Sequence, residues 1–235
     1  YEIPYFFQWG TPQDLWDFEY WERTYHKSNG AGSSTQTARV SQLILPMAGR
    51  GSRFQNITTR PKPLIEVNGV PLYQRALASL PCSSLNVLVV REDVLRECEK
   101  DKGSSEHDLW ISVPETPAGQ ALTTEKALAH IDLSQDVLVS ASDHEVVFEA
   151  ERWNSLIADR AVDAVIWTVR GFPGVHRSPT SYSYVQVADE GLRVQGVSVK
   201  RTLSETPGRD HLLIGTFWFR QGQWLADGIA ELQKN

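Results

Sequence analysis

The chain has 235 residues, 41% of them hydrophobic and 22% charged, ordinary proportions for a globular protein that buries a sizeable core. A net charge of −6 argues against a nucleic-acid footprint, which needs a basic face, and no apolar run reaches the roughly 18 residues of a membrane span. Cys82 and Cys98 are too few and too isolated for a disulfide framework or a cysteine zinc site, and nothing reads as a signal peptide, so reduced thiols in a cytoplasm are expected.

In chain order, residues 6–21 read as a strand-like aromatic run, a Gly-Thr-Pro turn, and a helix with Thr11 at its N-cap and Pro12 in its first position. Residues 27–37, rich in Gly, Ser and Thr without an apolar period, read as a flexible linker. Two regions are therefore expected: an N-terminal segment over 1–34 and a main domain over 35–235.

From Val40 onward, short apolar runs alternate with helix-like stretches. Leu43–Leu45, Leu85–Val90, Asp136–Ser142 and Asp163–Val169 are bounded, mostly β-branched runs of the kind found in buried parallel strands. Between them, residues 71–80, 118–131 and 150–160 have helical spacing. The alternation predicts an α/β fold, a doubly wound, mostly parallel sheet of Rossmann-like type, with ligands at the carboxyl ends of its strands. Residues 181–200, turning around Asp189-Glu190-Gly191, read as a hairpin.

The segment leaving the first strand, Pro46-Met-Ala-Gly-Arg-Gly-Ser-Arg-Phe54, suits a polyphosphate. Gly49 and Gly51 allow positive φ and close backbone approach, so that successive N–H groups can face phosphate oxygens, while Arg50 and Arg53 add charge-assisted hydrogen bonds. A lone Gly-x-Gly is equally a turn between solvated arginines. A P-loop would need Gly-Lys-Ser/Thr, and a dinucleotide fingerprint would need glycine where Phe54 stands. Lys62 follows between Pro61 and Pro63, a flexible cation on a stem stiffened by two fixed φ angles.

Together, Ala48-Gly49-x-Gly51-Ser52-Arg53 and Pro61-Lys62-Pro63-Leu64 resemble the signature of the sugar-phosphate nucleotidyltransferases, or nucleoside-diphosphate-sugar pyrophosphorylases. The resemblance continues more loosely over residues 41–235 and implies an NTP and a phosphorylated small-molecule acceptor as partners, with Mg²⁺ as cofactor. It implies that Ala48, Gly49, Arg50, Gly51 and Ser52 seat the triphosphate, that Arg53 is the catalytic cation on departing pyrophosphate, and that Lys62 grips phosphate. Gly119 and Gln120, in Pro114–Leu122, match a second loop that opens a helix against the nucleobase; on its own that segment is a helix start. Asp143 closes a strand where the family carries its metal ligand, a hard oxygen suited to Mg²⁺ beside phosphates, although such an Asp also caps turns. His144 beside it reads as a supporting or packing residue. Lys200 and Gly215 match the acceptor region.

Three departures matter. Val199 and Arg201 replace the family's Glu and Pro around Lys200, which argues against an ordinary hexose phosphate. Gln8 stands where relatives with two metal carboxylates have Asp, and an amide is the poorer Mg²⁺ ligand. The Trp9-Gly-Thr-Pro-x-Asp-Leu15 segment, which in relatives closes the domain, here precedes it, so residues 1–34 are expected to dock on a nucleotidyltransferase core, its own or that of a neighbouring domain or second copy. Glycosyltransferases share the general fold but carry Asp-x-Asp, absent here.

Overall fold

The computed structural model describes residues 12–30, 38–100, 105–188 and 193–234. These divide into two compact units, one of residues 38–166 with 215–234, the other of 12–30 with 167–214. Expectations for Gln8, Trp9, Thr11, residues 31–37 of the linker and the turn at Asp189–Gly191 lie outside the described residues.

In the larger unit, the apolar run at Leu43–Leu45 extends backward to form β1 (Arg39–Pro46). It pairs in parallel with β4 (Cys82–Arg91), Ile44 opposite Val87, and on its other side with β6 (Val137–Val139), Ile44 opposite Val139. β5 (Asp108–Val113) adds to β4, again in parallel. The last residues of β10 (His211–Phe219) pair antiparallel with β6, Phe217 opposite Val139. The sheet order is thus β5-β4-β1-β6-β10, mostly parallel as predicted. A small hairpin, β2 (Glu66–Val67) and β3 (Val70–Pro71), precedes the first crossover.

The run periodicity has a direct energetic basis. Val87, Leu88, Val89 and Val90 are all 0% exposed, as are Leu45, Val137 and Leu138, because this sheet is covered on both faces. Each such side chain contributes about 1.5–3 kcal/mol by leaving water. Helices α2 (Leu72–Ala78), α3 (Glu92–Glu99), α4 (Gln120–Glu125), α5 (Ala150–Ala158) and α7 (Gly222–Leu232) connect and cover the strands. Leu225 and Ile229 of α7 pack on Ile44, Val87 and Val137. Gln42, polar yet 5% exposed, is tolerated in β1 because its amide exchanges hydrogen bonds with both backbone groups of Asp132, at 2.6 and 2.9 Å.

The expected helix over residues 118–131 is shorter than its spacing suggests. It ends at Glu125, followed by a separate 3-10 turn at Leu128–His130. Thr123 and Thr124 are β-branched, and the Thr123 hydroxyl bonds back to the Gly119 carbonyl at 2.9 Å, competing with helix propagation. Strand β5 and helix α3 carried no expectation; β5 is an edge strand with only Val113 buried, so its pattern is weak.

The smaller unit holds helix α1 (Pro12–Gly30), which starts at Pro12 as expected but runs through Lys27–Gly30, where the linker was expected to begin. Helix α6 (Gly174–Arg177), strands β8 (Tyr184–Val187) and β9 (Val194–Ser198), and the start of β10 complete it. β8 and β9 form the predicted antiparallel hairpin, and Leu212 of β10 pairs with Tyr184. Val175, Tyr184 and Leu212 make its core, with Phe172 and Tyr182 against them. Tyr20 and Trp21 of α1 meet Phe172 edge-on at 5.9 and 6.4 Å, while Trp16 remains 55% exposed. Strand β7 (Ala164–Val169) spans the boundary in sequence. Among the described residues no helix is long and apolar enough to cross a membrane.

Candidate functional site

In the larger unit the strand order reverses at β1: β4 follows on one side and β6 arrives on the other. Segments leaving the carboxyl ends of β1 and β6 therefore border the crevice where open α/β sheets take ligands. The glycine loop leaves β1 there, anchored by the Met47 N–H donating to the Val89 carbonyl at 2.7 Å and by Ala48, 1% exposed in the core. Its end is a one-turn 3-10 helix, Ser52–Phe54, capped by Gly51 at φ +61.

Gly51 shows why glycine is needed. A Cβ there would lie 2.9 Å from Cβ of Lys62, so the loop is pressed on the lysine's stem. Lys62 in turn starts a 3-10 turn over Lys62–Leu64, with Pro63 and Leu64 buried beneath it. Two segments that sequence could only put side by side by resemblance are thus in contact. Arg53 and Ser52 stand exposed on the turn that follows Gly51, and Arg50 is exposed beside Gly49.

The Lys62 ammonium donates to Oδ2 of Asp143 at 2.5 Å; the side chains are 26% and 46% exposed. Asp143 follows β6 and so reaches the same rim. Burial works to raise its pKa, but the Lys62 hydrogen bond and charge outweigh it and hold the carboxyl below the usual range. His144 is shifted down, first by burial and then by the Lys62 charge, against the pull of Asp143. Its Nε2 lies 3.1 Å from the Thr216 hydroxyl, which lies 2.9 Å from that of Ser140. Thr216 and Ser140 are both 0% exposed, so this chain of hydrogen bonds fixes the turn carrying Asp143.

Gln120 and Gly215 are also brought together. Gln120 Nε2 donates to the Gly215 carbonyl at 2.8 Å. Gly215 sits inside β10 at φ +82, between the residues that pair with β8 and those that pair with β6. Gly119, at φ +97, caps α4. Lys200 belongs to the smaller unit, exposed and at φ +51, an uncommon backbone for a side-chain-bearing residue.

Sequence reasoning missed Arg91, Ser140 and Thr216. Arg91 ends β4, 19% exposed, with Nε and Nη2 on the two oxygens of Asp93 at 2.8 and 2.9 Å and Nη1 donating to the Gly49 carbonyl at 3.4 Å. Its signal was the one that marks Asp143: a charge closing a buried apolar run. Ser140 and Thr216 gave no signal, since nothing local distinguishes a bonded hydroxyl in a strand from a solvated one.

Among the described residues no three His, Cys, Asp or Glu side chains gather to hold a metal ion. Asp143 offers one part-exposed hard oxygen ligand, which fits Mg²⁺ where substrate oxygens complete the shell. A groove of about 720 Å³ lies elsewhere, between the 114–117 loop, α4 and Gln233, and contains none of the candidate residues. A polyphosphate seat is an open rim rather than an enclosed cavity, so the residues and not the volume mark it.

The chain matches the MobA-like NTP transferase domain over residues 43–207, more than half its length. It is similar to the solved nucleoside-diphosphate-sugar pyrophosphorylase from Vibrio cholerae RC9, with TM-score 0.61 and 19% identity over 82% of this chain and 79% of that one. It is similar to the inositol-1-phosphate CTP transferase from T. maritima, with TM-score 0.61 and 19% identity over 81% of this chain and 74% of that one. A UDP-glucose pyrophosphorylase complexed with UDP-glucose gives TM-score 0.62 at 15% identity, over 82% and 80%. At such identities the likeness speaks for the fold alone. No curated protein matches the chain in sequence. The domain match takes in the glycine loop, Lys62 and Asp143, and on it the chain belongs to the MobA-like NTP transferase domain family.

Proposed function

We propose that this chain joins an NTP to a phosphorylated small-molecule acceptor, giving a nucleotide-activated product and pyrophosphate. The observation that carries the reading is the contact of Gly51 with Lys62 and of Lys62 with Asp143, which unites loop, cation and carboxylate at one rim. An acceptor phosphate oxygen attacks the α-phosphorus in line; the bond from that phosphorus to the α,β-bridging oxygen breaks, and pyrophosphate leaves with its electron pair. No covalent enzyme intermediate is needed, so the protein's work is positioning and charge neutralisation.

Amides of Gly49–Ser52 and the Lys62 ammonium seat the phosphates, Arg53 neutralises charge on the leaving group, Gly119 and Gln120 border the base, and Lys200 and Gly215 orient the acceptor. Asp143 would hold Mg²⁺, which supplies charge neutralisation at the phosphates. Sugar phosphates are the first acceptor class, in nucleotide-sugar and polysaccharide biosynthesis in a cytoplasm. Val199, 72% exposed where the family carries a sugar-contacting Glu, favours a second: a cytidylyltransferase for a non-sugar phosphate, the type of reaction named for the T. maritima neighbour.

A panel of the four NTPs against hexose, polyol and amino-alcohol phosphates, read by pyrophosphate release, tests this. Turnover with at least one pair is expected, and Arg53→Ala should lower it roughly a hundred- to a thousandfold. Tight NTP binding with no turnover for any pair would replace the proposal with a nucleotide-binding module.

A further inference from the structure

Three of the five N–H groups of the Arg91 guanidinium are engaged. Asp93 takes Nε and Nη2 at 2.8 and 2.9 Å, and Nη1 reaches back to the Gly49 carbonyl at 3.4 Å. Apart from its chain neighbours, nothing lies within 4 Å of where a Gly49 Cβ would stand, so the loop is open on that side. A trans peptide points its C=O and its N–H in opposite directions. Fixing the Gly49 carbonyl toward Arg91 therefore turns the Arg50 N–H away from Arg91. A carbonyl facing a polyphosphate repels it, and an N–H facing it binds.

Resting on the nucleotidyltransferase reading, we propose that Arg91 and Asp93 form a clamp that sets the Gly49–Arg50 peptide so that the Arg50 amide is presented to the triphosphate. Arg91 is a positioning residue: it works through the loop, and it needs the planar fork, because an ammonium has no fixed geometry with which to hold a carboxylate and a carbonyl together. Asp93 serves by orienting the fork, although its own charge opposes an anion nearby; the Arg50 charge is also felt at Asp93, which ties this carboxylate to the loop.

That opposition gives the test. Binding of inorganic tripolyphosphate, and of the Mg²⁺ complexes of ATP, CTP, GTP and UTP, is measured by calorimetry for wild type, Arg91→Lys, Arg91→Ala and Asp93→Asn, with thermal melting alongside. The clamp predicts that Arg91→Ala and Arg91→Lys both weaken binding by about tenfold, and that Asp93→Asn weakens it several-fold although it removes a negative charge. It also predicts that KM for the nucleotide rises while kcat changes little. If Arg91 acts as charge alone, Arg91→Lys restores binding and Asp93→Asn tightens it; either result overturns the clamp. Variants that bind as wild type overturn it too and leave the nucleotidyltransferase reading intact. A wild type that binds neither tripolyphosphate nor any nucleotide overturns both. Should Arg91→Ala fail to fold, the lysine and asparagine variants carry the test.

Discussion

Substituting the two loop glycines with alanine should weaken nucleotide binding in both cases but lower the melting temperature in only one. At Gly51, φ is +61, and an alanine held there costs roughly 1–2 kcal/mol in backbone strain. Its Cβ would stand 2.9 Å from Lys62 Cβ, which cannot rotate away, because it is fixed to a backbone between Pro61 and the buried Pro63. Forced contacts of this type add about 1–3 kcal/mol. The lower bound, about 2 kcal/mol, corresponds to a fall in Tm of at least about 4 °C for a domain of this size. Nucleotide affinity should fall with it, since relieving the clash moves the loop off Lys62. Gly49 has no positive φ, and nothing lies within 4 Å of the point a Cβ would occupy, so Gly49→Ala should leave Tm nearly unchanged, within the roughly 0.5 kcal/mol of a surface substitution. Its affinity for nucleotide should nonetheless drop, because that open space is the proposed phosphate seat. Calorimetric melting with nucleotide titration measures both. A Gly51→Ala protein that melts with wild type, or a Gly49→Ala protein that loses as much stability, would refute the contact on which the site is built.

Further outcomes follow from other contacts. Asp143→Asn releases Lys62 from its ion pair, so metal-free nucleotide should bind about two- to fivefold tighter, the scale of a part-exposed pair, while the gain from adding Mg²⁺ shrinks; isothermal titration with and without Mg²⁺ reads both. Thr216→Val leaves the buried Ser140 hydroxyl only the Ala141 carbonyl at 3.4 Å and removes the Nε2 partner of His144, and should cost about 1 kcal/mol in denaturant unfolding. His211 is shifted down, by burial and then by the Arg170 charge, with Asp210 opposing. A folded pKa below the unfolded one means that the unfolded chain takes up the proton first, so this group costs stability as pH falls below about 6.5. His211→Gln should therefore melt with a shallower dependence on pH between neutrality and that lower range.

The local chemistry of the chain already determined the buried central strands and the glycine loop. Leu43–Leu45, Leu85–Val90 and Val137–Val139 are strands because such runs gain most when both faces of a sheet are covered, a preference that each run carries within itself. Gly51 and the Pro61-Lys62-Pro63 stem likewise announce backbone properties that need no partner to be read. The weak edge strand Asp108–Val113, the helix that stops at Glu125, and Gly215 inside a strand depend on competition between local bonds and neighbours, and were not legible.

What only the tertiary structure decided is which polar groups meet. Lys62 pairs with Asp143, Arg91 with the Gly49 carbonyl, and His144 with Thr216, across separations of 81, 42 and 72 residues. Sequence spacing says nothing about these pairs, because they are set by strand order and register: β1 lies between β4 and β6, so the segments leaving all three strands share one rim. A residue's conformational preference is a property of a few bonds, whereas its electrostatic partner is a property of the folded sheet.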